Sequence, residues 1–225
     1  MGNFRHRKVQ DWENSVEFSK LGIEFAISLL ESKQNAKGWY ETLFVRNVED
    51  DAEFRRLGID LLWCVSAATC AVSLAVEVKA DRNHHTGNFF FETVSDIERR
   101  TPGAFVGSRA EWYFYTFPAI AEIYCLPLYE TKEWFNSCRG EFTERMASTQ
   151  REGREWNTLG QLVPILRVLR EVPGVRHYVY RNNVWHLAAK SQGCRNVKTV
   201  FDRCDAEILA EAGESGVDKP RRHLQ

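Results

Sequence analysis

At 225 residues, 44% of them apolar and seven of them tryptophan, the chain can bury a full hydrophobic core, which excludes the disordered, fibrous and disulfide-stapled classes. A formal net charge of -1 gives no whole-molecule field toward nucleic acid, so any DNA contact must come from local basic clusters. Arg5, Arg7 and Lys8 at one end and Lys219, Arg221 and Arg222 at the other are such clusters, but a solvated chain end accounts for each taken alone. None of the six cysteines forms a CxxC pair and three lie in apolar runs, so a reduced, cytoplasmic protein is expected. No apolar leader follows the basic start and no run of about 18 apolar residues occurs, so neither secretion nor membrane spanning is expected.

In chain order, Val16, Leu21, Phe25, Ile27 and Leu30, with helical three- and four-residue steps at Leu21 to Phe25 and Ile27 to Leu30, predict an amphipathic helix from Asp11 to the stop signal Lys37-Gly38. Trp39 to Val48 has the aromatic and β-branched content of a strand, and the acidic run Glu49, Asp50, Asp51, Glu53 reads as a solvated loop. Ile59 to Val65 and Val72 to Ala80 are separated by a gap short enough for an antiparallel hairpin. Thr86-Gly87-Asn88 is a turn before a strand at Phe89 to Ser95. After the turn signal Thr101-Pro102-Gly103 come strands at Glu111 to Phe117 and Ile123 to Leu128, then a helix at Glu130 to Cys138. Leu162 to Glu171 reads as a helix opening at Pro164 and closed by Val172-Pro173-Gly174. Tyr178 to Leu187 reads as a strand pair turning at Asn182-Asn183, and Val197 to Glu211 as a helix before a disordered tail. A helix, then strands, then mixed elements implies α/β or α+β architecture around one central sheet.

Chemistry concentrates at Asp60 and at Ser73 to Lys79. Alternate residues of a strand share a face, so Glu77 and Lys79 project together while Leu74, Val76 and Val78 point into the core. A hairpin centred on Ala68-Thr69 sets Asp60 opposite Glu77, which brings two carboxylates and one ammonium to a single patch of sheet. An Asp-Glu pair without a counter-charge repels, so the arrangement calls for a divalent cation, and oxygen-only ligation suits Mg²⁺ or Mn²⁺. Such an ion lowers the pKa of a bound water and neutralises charge on a scissile phosphate, with Lys79 stabilising the developing negative charge. The wet face of a half-exposed sheet accounts for Glu-Val-Lys as well when these residues are taken alone.

The wider layout resembles PD-(D/E)xK nucleases. Glu24 in a first helix, Gly58-Ile59-Asp60 opening one strand, Glu77-Val78-Lys79 in the next and Thr86 to Glu92 after it follow that order. Pro102-Gly103 and Ser108-Arg109-Ala110-Glu111-Trp112-Tyr113 extend the likeness, which is nearest to the archaeal Holliday-junction resolvases and related phage and prokaryotic proteins. It covers roughly residues 11 to 170, and Ile59 stands where the motif's proline would be. The resemblance implies an α/β, restriction-endonuclease-like core, a central mixed sheet flanked by helices, over residues 1–175, with 176–225 as a partly helical C-terminal extension. It implies Asp60, Glu77 and the backbone carbonyl of Val78 as metal ligands, Lys79 as the catalytic lysine and Glu24 as an auxiliary acid, with Glu13 and Glu17 as rivals in the same helix. The function implied is a metal-dependent DNA endonuclease, structure-selective as resolvases are, in the cytoplasm of a prokaryote or phage-infected cell and, by analogy, a homodimer.

Arg82, His84, His85 and Arg109 are candidate DNA contacts, joined by Arg99 and Arg100, although scattered solvated charges explain them almost as well. His177, His186, Cys194 and Cys204 match no compact zinc spacing. Trp112, Tyr113, Phe114, Tyr115 and Phe117 have the chemistry to stack unpaired bases, or to fill a core. Two further readings compete with the nuclease: a catalytically silent DNA-binding or assembly protein that keeps the fold, favoured by the near-neutral charge, and an RNA-processing enzyme on the same scaffold.

Overall fold

A computed structural model describes residues 10–32, 41–66, 70–151 and 154–191. The predicted Val197 to Glu211 helix, the Ala68-Thr69 turn, Cys194 and Cys204 lie outside them.

The short β1 (Gln10–Asp11) leads into α1 (Trp12–Glu31), whose Ile23, Ala26, Leu29 and Leu30 recur along one stripe and are all buried. There follow β2 (Glu41–Asn47), α2 (Ala52–Leu57), β3 (Leu61–Ser66) and β4 (Ala71–Ala80). The acidic run expected to be a loop instead starts α2: Asp51 Oδ1 accepts the Glu53 amide at 2.9 Å as the N-cap, and Gly58, at φ 63°, ends it. With no buried residue, α2 shows no apolar period from which to read it.

Next come β5 (Asn88–Asp96), β6 (Thr101–Pro102), α3 (Ala104–Gly107), β7 (Trp112–Phe117), β8 (Glu122–Pro127) and α4 (Leu128–Cys138). The chain closes with β9 (Thr143–Arg151), β10 (Arg154–Pro164), α5 (Ile165–Glu171), β11 (Arg176–Arg181) and β12 (Val184–Lys190). β9 and β10 have no counterpart in the sequence reading; Thr143 to Met146 are all exposed and show no buried face, and it is pairing with β10 that makes them a strand. The expected helix at Leu162 to Glu171 begins only at Ile165, because Leu162 and Val163 finish β10 opposite Phe90 and Phe89.

The strands form a seven-stranded sheet, β12-β11-β8-β7-β4-β3-β2, and a five-stranded one, β1-β9-β10-β5-β6. Within the larger sheet β4 and β7 are parallel and the other neighbours antiparallel, so this is an α/β protein with a mixed sheet. Residues Arg176–Lys190, placed by sequence in an extension beyond the core, form β11 and β12 at one edge of that sheet. Asn182 and Asn183, at φ 52° and 60°, make the tight turn between them.

One face of the larger sheet is covered by α1: its buried stripe packs with Trp63, Val76, Val78, Trp112 and Phe114. The other face is covered mainly by the second sheet rather than by the expected helices. There Phe89 and Phe91 of β5 meet Tyr113, Tyr115 and Phe117 of β7, with α4 and α5 closing the side. Phe91 stacks on Phe105 with centroids 3.9 Å apart. Every residue of β7 is buried, so the aromatic run is core and offers no surface for stacking bases.

Candidate active site

The β3–β4 ladder runs in the register expected for the hairpin, with Leu61 opposite Val76. Asp60 stands just before β3. Its amide donates to the Val76 carbonyl (2.9 Å), its carbonyl accepts from Val48 (2.8 Å), and its Oδ2 accepts the Val78 amide at 2.7 Å. Among the described residues Asp60 Oδ1 accepts no hydrogen bond, and neither does either oxygen of Glu77. Leu74, Val76 and Val78 are buried toward α1, leaving Glu77 and Lys79 partly buried on the face toward the second sheet. Val78 was expected to contribute its carbonyl; what the structure shows is its N–H fixing Asp60.

The approach to Asp60 is rigid. Gly58 needs its positive φ, and a Cβ there would stand 2.9 Å from the Ser108 Cα and 3.4 Å from Glu77 Oε2. Ser108 Oγ donates to the Gly58 carbonyl (2.7 Å), and the Arg109 amide donates to Leu57 (2.7 Å). Glu111 spans the gap to β4: its amide donates to the Ala75 carbonyl, and its Oε2 accepts the Ala75 amide at 2.6 Å. Lys132 Nζ donates to the carbonyls of Val106 (3.2 Å) and Ser108 (2.6 Å), bracing the same turn. The stretch Ser108 to Glu111 thus ties down Leu57 and Gly58, which lead into Asp60, and Ala75 of β4.

Electrostatically the centre is acidic and poorly solvated. Burial pushes the Asp60 carboxyl from its ordinary 3.8 up to about 6, opposed by the Val78 N–H and aided by the charge of Glu49. Burial also raises Glu77 well above the carboxylate range, the negative charge of Asp60 adds to this, and Lys79 relieves part of it. Tyr113, beside Glu77 on β7, is completely buried, and its hydroxyl has no hydrogen-bond partner among the described residues. Burial first, then the negative charges of Glu77, Glu92 and Asp60, keep that phenol protonated well above its usual range.

The remaining candidates lie elsewhere. Glu24 is exposed on α1, the helix that packs on the opposite face from Glu77 and Lys79; Glu17 is exposed on the same helix. Arg82 is exposed with its guanidinium 4.6 Å over the Phe18 ring, a cation–π contact back to α1. His84 and His85 form a 3-10 turn beyond β4, edge to face at 5.8 Å, and the buried His84 Nδ1 finds no partner among the described residues. Arg109 is exposed beside Lys132, whose pKa is lowered by burial and then by Arg109. Arg99 pairs with Asp96 at 3.7 Å at the far end of β5. His177 faces Glu122 at 3.1 Å and stacks on Tyr124, while His186 is exposed on β12.

Three residues near the centre had been given no part in it. Glu92, at the end of the Thr86 to Glu92 stretch, pairs with Lys79 at 3.9 Å. The hydroxyl of Tyr113 and the ammonium of Lys132 sit in the field of Glu77. The alternation of β7 could have placed Tyr113 beside Glu77 once β4 and β7 were known to be parallel neighbours; nothing local marks Lys132. No protein-family model matches this chain, and no curated protein or solved structure shows significant similarity to it.

Proposed function

We propose that this protein is a divalent-cation-dependent phosphodiesterase that cuts DNA, an endonuclease of the PD-(D/E)xK type built on a restriction-endonuclease-like arrangement of β2, β3, β4 and β7 with α1. The observation that carries the reading is the junction of Asp60 and Glu77, two desolvated carboxylates with unfilled acceptor capacity, with Lys79 on the same face of the sheet.

These residues fit a hard cation. Neighbouring, partly buried carboxylates repel each other and prefer protons; a dication between them reverses that preference. Among the described residues no three His, Cys, Asp or Glu side chains cluster as a ready metal cage. The ligands would therefore be Asp60, Glu77 and the Val78 carbonyl, with water completing the shell, as Mg²⁺ and Mn²⁺ tolerate. Bound there, the ion would supply Lewis-acid charge against the scissile phosphate and acidify a water. Asp60, locked by the Val78 N–H, would present its free oxygen to such an ion in a fixed direction. Lys79 meets the charge that develops on the phosphate oxygens. Arg82, His84, His85 and Arg109 are the basic groups near enough in sequence to the motifs to meet the DNA backbone. Glu24, on the other face, is left out of the proposed centre.

Purified protein incubated with plasmid and branched DNA plus Mg²⁺ should cut, and Asp60→Ala or Lys79→Ala should not. Cutting that survives in both variants would sink the reading. Calorimetric titration with Mn²⁺ separates it from a silent DNA-binding protein, for which no heat should depend on Asp60.

A further inference from the structure

Lys79 raises a problem for the site as built. On β4 it is the next residue on the same face as Glu77, and nothing in the strand itself stops its ammonium from folding back onto that carboxylate. Such a pair would neutralise Glu77 and occupy the place of a cation. The long lysine stem has ample rotamer freedom to do so.

The structure supplies a restraint from the other sheet. Lys79 Nζ lies 3.9 Å from Glu92 Oε2, and the two side chains are 31% and 13% exposed. Glu92 is itself anchored: its Oε1 accepts the Ala104 amide at 3.3 Å, and the Gly103 amide donates to the neighbouring Thr93 carbonyl at 3.0 Å. A Cβ on Gly103 would collide with the Glu92 carbonyl oxygen, so glycine is what lets the backbone close on this strand. The edge of β5 is tied to the larger sheet next to Lys79: the Phe90 amide donates to the Tyr115 hydroxyl at 2.9 Å, and Tyr115 is the β7 neighbour of Lys79. Glu92 is thus a fixed counter-charge on a rigid mount, unlike a surface partner that samples many positions.

We infer that Glu92 is a positioning residue, which holds the Lys79 ammonium toward the second sheet and so keeps the Glu77 carboxylate open to a divalent cation. The inference rests on the proposed cation site and assigns it a part built from both sheets. Removing Glu92 lets Lys79 fall onto Glu77 and compete with the ion.

The test is Mn²⁺ titration calorimetry on the full chain, with the wild type, Glu92→Gln, Glu92→Asp, Lys79→Met and the Lys79→Met/Glu92→Gln double variant. Glutamine keeps the acceptor for the Ala104 amide and removes only the charge. Glu92→Gln should weaken Mn²⁺ about tenfold and Glu92→Asp should recover most of the loss, while Lys79→Met should bind at least as tightly as the wild type. In the Lys79→Met background, Glu92→Gln should have no further effect, an outcome that a merely structural role, or direct attraction of the ion by Glu92, would not produce. An unchanged affinity in Glu92→Gln overturns the inference alone, as does an equal loss with and without Lys79. A wild type that binds no Mn²⁺ overturns the functional reading beneath it.

Discussion

The Val78 amide donates to Asp60 Oδ2 at 2.7 Å, so the acid that precedes β3 is pinned to the residue lying between Glu77 and Lys79 in β4. One backbone bond therefore links the two halves of the candidate site, and the two-residue alternation of β4 does the rest. The cost of this arrangement is electrostatic, because the pinned carboxylate sits where burial penalises its charge.

That cost can be measured through pH. The Asp60 pKa is raised from 3.8 to about 6 on folding, so the folded chain binds the proton more tightly. Its contribution to stability is complete below the unfolded value and is lost as pH rises through about 6. A shift of this size corresponds to about 3 kcal/mol at most. Urea unfolding in EDTA should show the wild type losing stability between these two pH values, and Asp60→Asn losing less. Equal slopes in the two proteins would show that Asp60 is not strained by its site. Mg²⁺ or Mn²⁺ should restore the wild type above this window and leave Asp60→Asn unchanged.

Lys79 should matter for the rate more than for binding. Lys79→Ala is expected to lower kcat for DNA cleavage by about 10²- to 10³-fold, the scale typical of losing one preorganised donor to a developing charge. Affinity for uncut duplex in Ca²⁺ should move by a few-fold only. A variant that instead fails to bind duplex while cutting normally at saturation would assign Lys79 to docking.

Tyr113 offers an opposite pairing of effects. Its buried hydroxyl has no partner among the described residues, and an unmet donor costs about 1 to 3 kcal/mol. Tyr113→Phe should therefore be neutral or more stable in EDTA by thermal melting, and should cut several-fold more slowly if the hydroxyl engages Glu77 or a water in the working site. Loss of stability with unchanged cutting would make the hydroxyl part of the core alone.

Gly58 tests the rigid approach to Asp60. Its φ of 63° and its closeness to the Ser108 Cα leave no room for a side chain. Gly58→Ala should cost about 1 to 3 kcal/mol of stability through backbone strain, and should impair Mn²⁺ binding by displacing Asp60. Full Mn²⁺ affinity in a destabilised Gly58→Ala protein would separate the turn from the site.

What could be read without a structure was whatever depends on neighbours in sequence. The helix signalled by Leu21, Phe25, Ile27 and Leu30, the alternation from Leu74 to Lys79 and the short β3–β4 connection are periodic or close in chain, although of those helix positions only Leu30 is fully buried and Leu21 is exposed. From them the partial convergence of Asp60, Glu77 and Lys79 follows. The same holds for the Asn182-Asn183 turn, whose left-handed residues announce themselves by type. Tertiary structure alone decided the rest: that β5 pairs with β10 across some seventy intervening residues, that a second sheet and not helices covers the aromatic face of β7, and that Glu92 reaches Lys79. The physical reason is that such pairings have no local period. The described start of β9 is exposed and α2 has no fully buried residue, so each exists through partners or caps rather than through its own pattern, and a salt bridge between sheets is visible only after both sheets have closed on their common core.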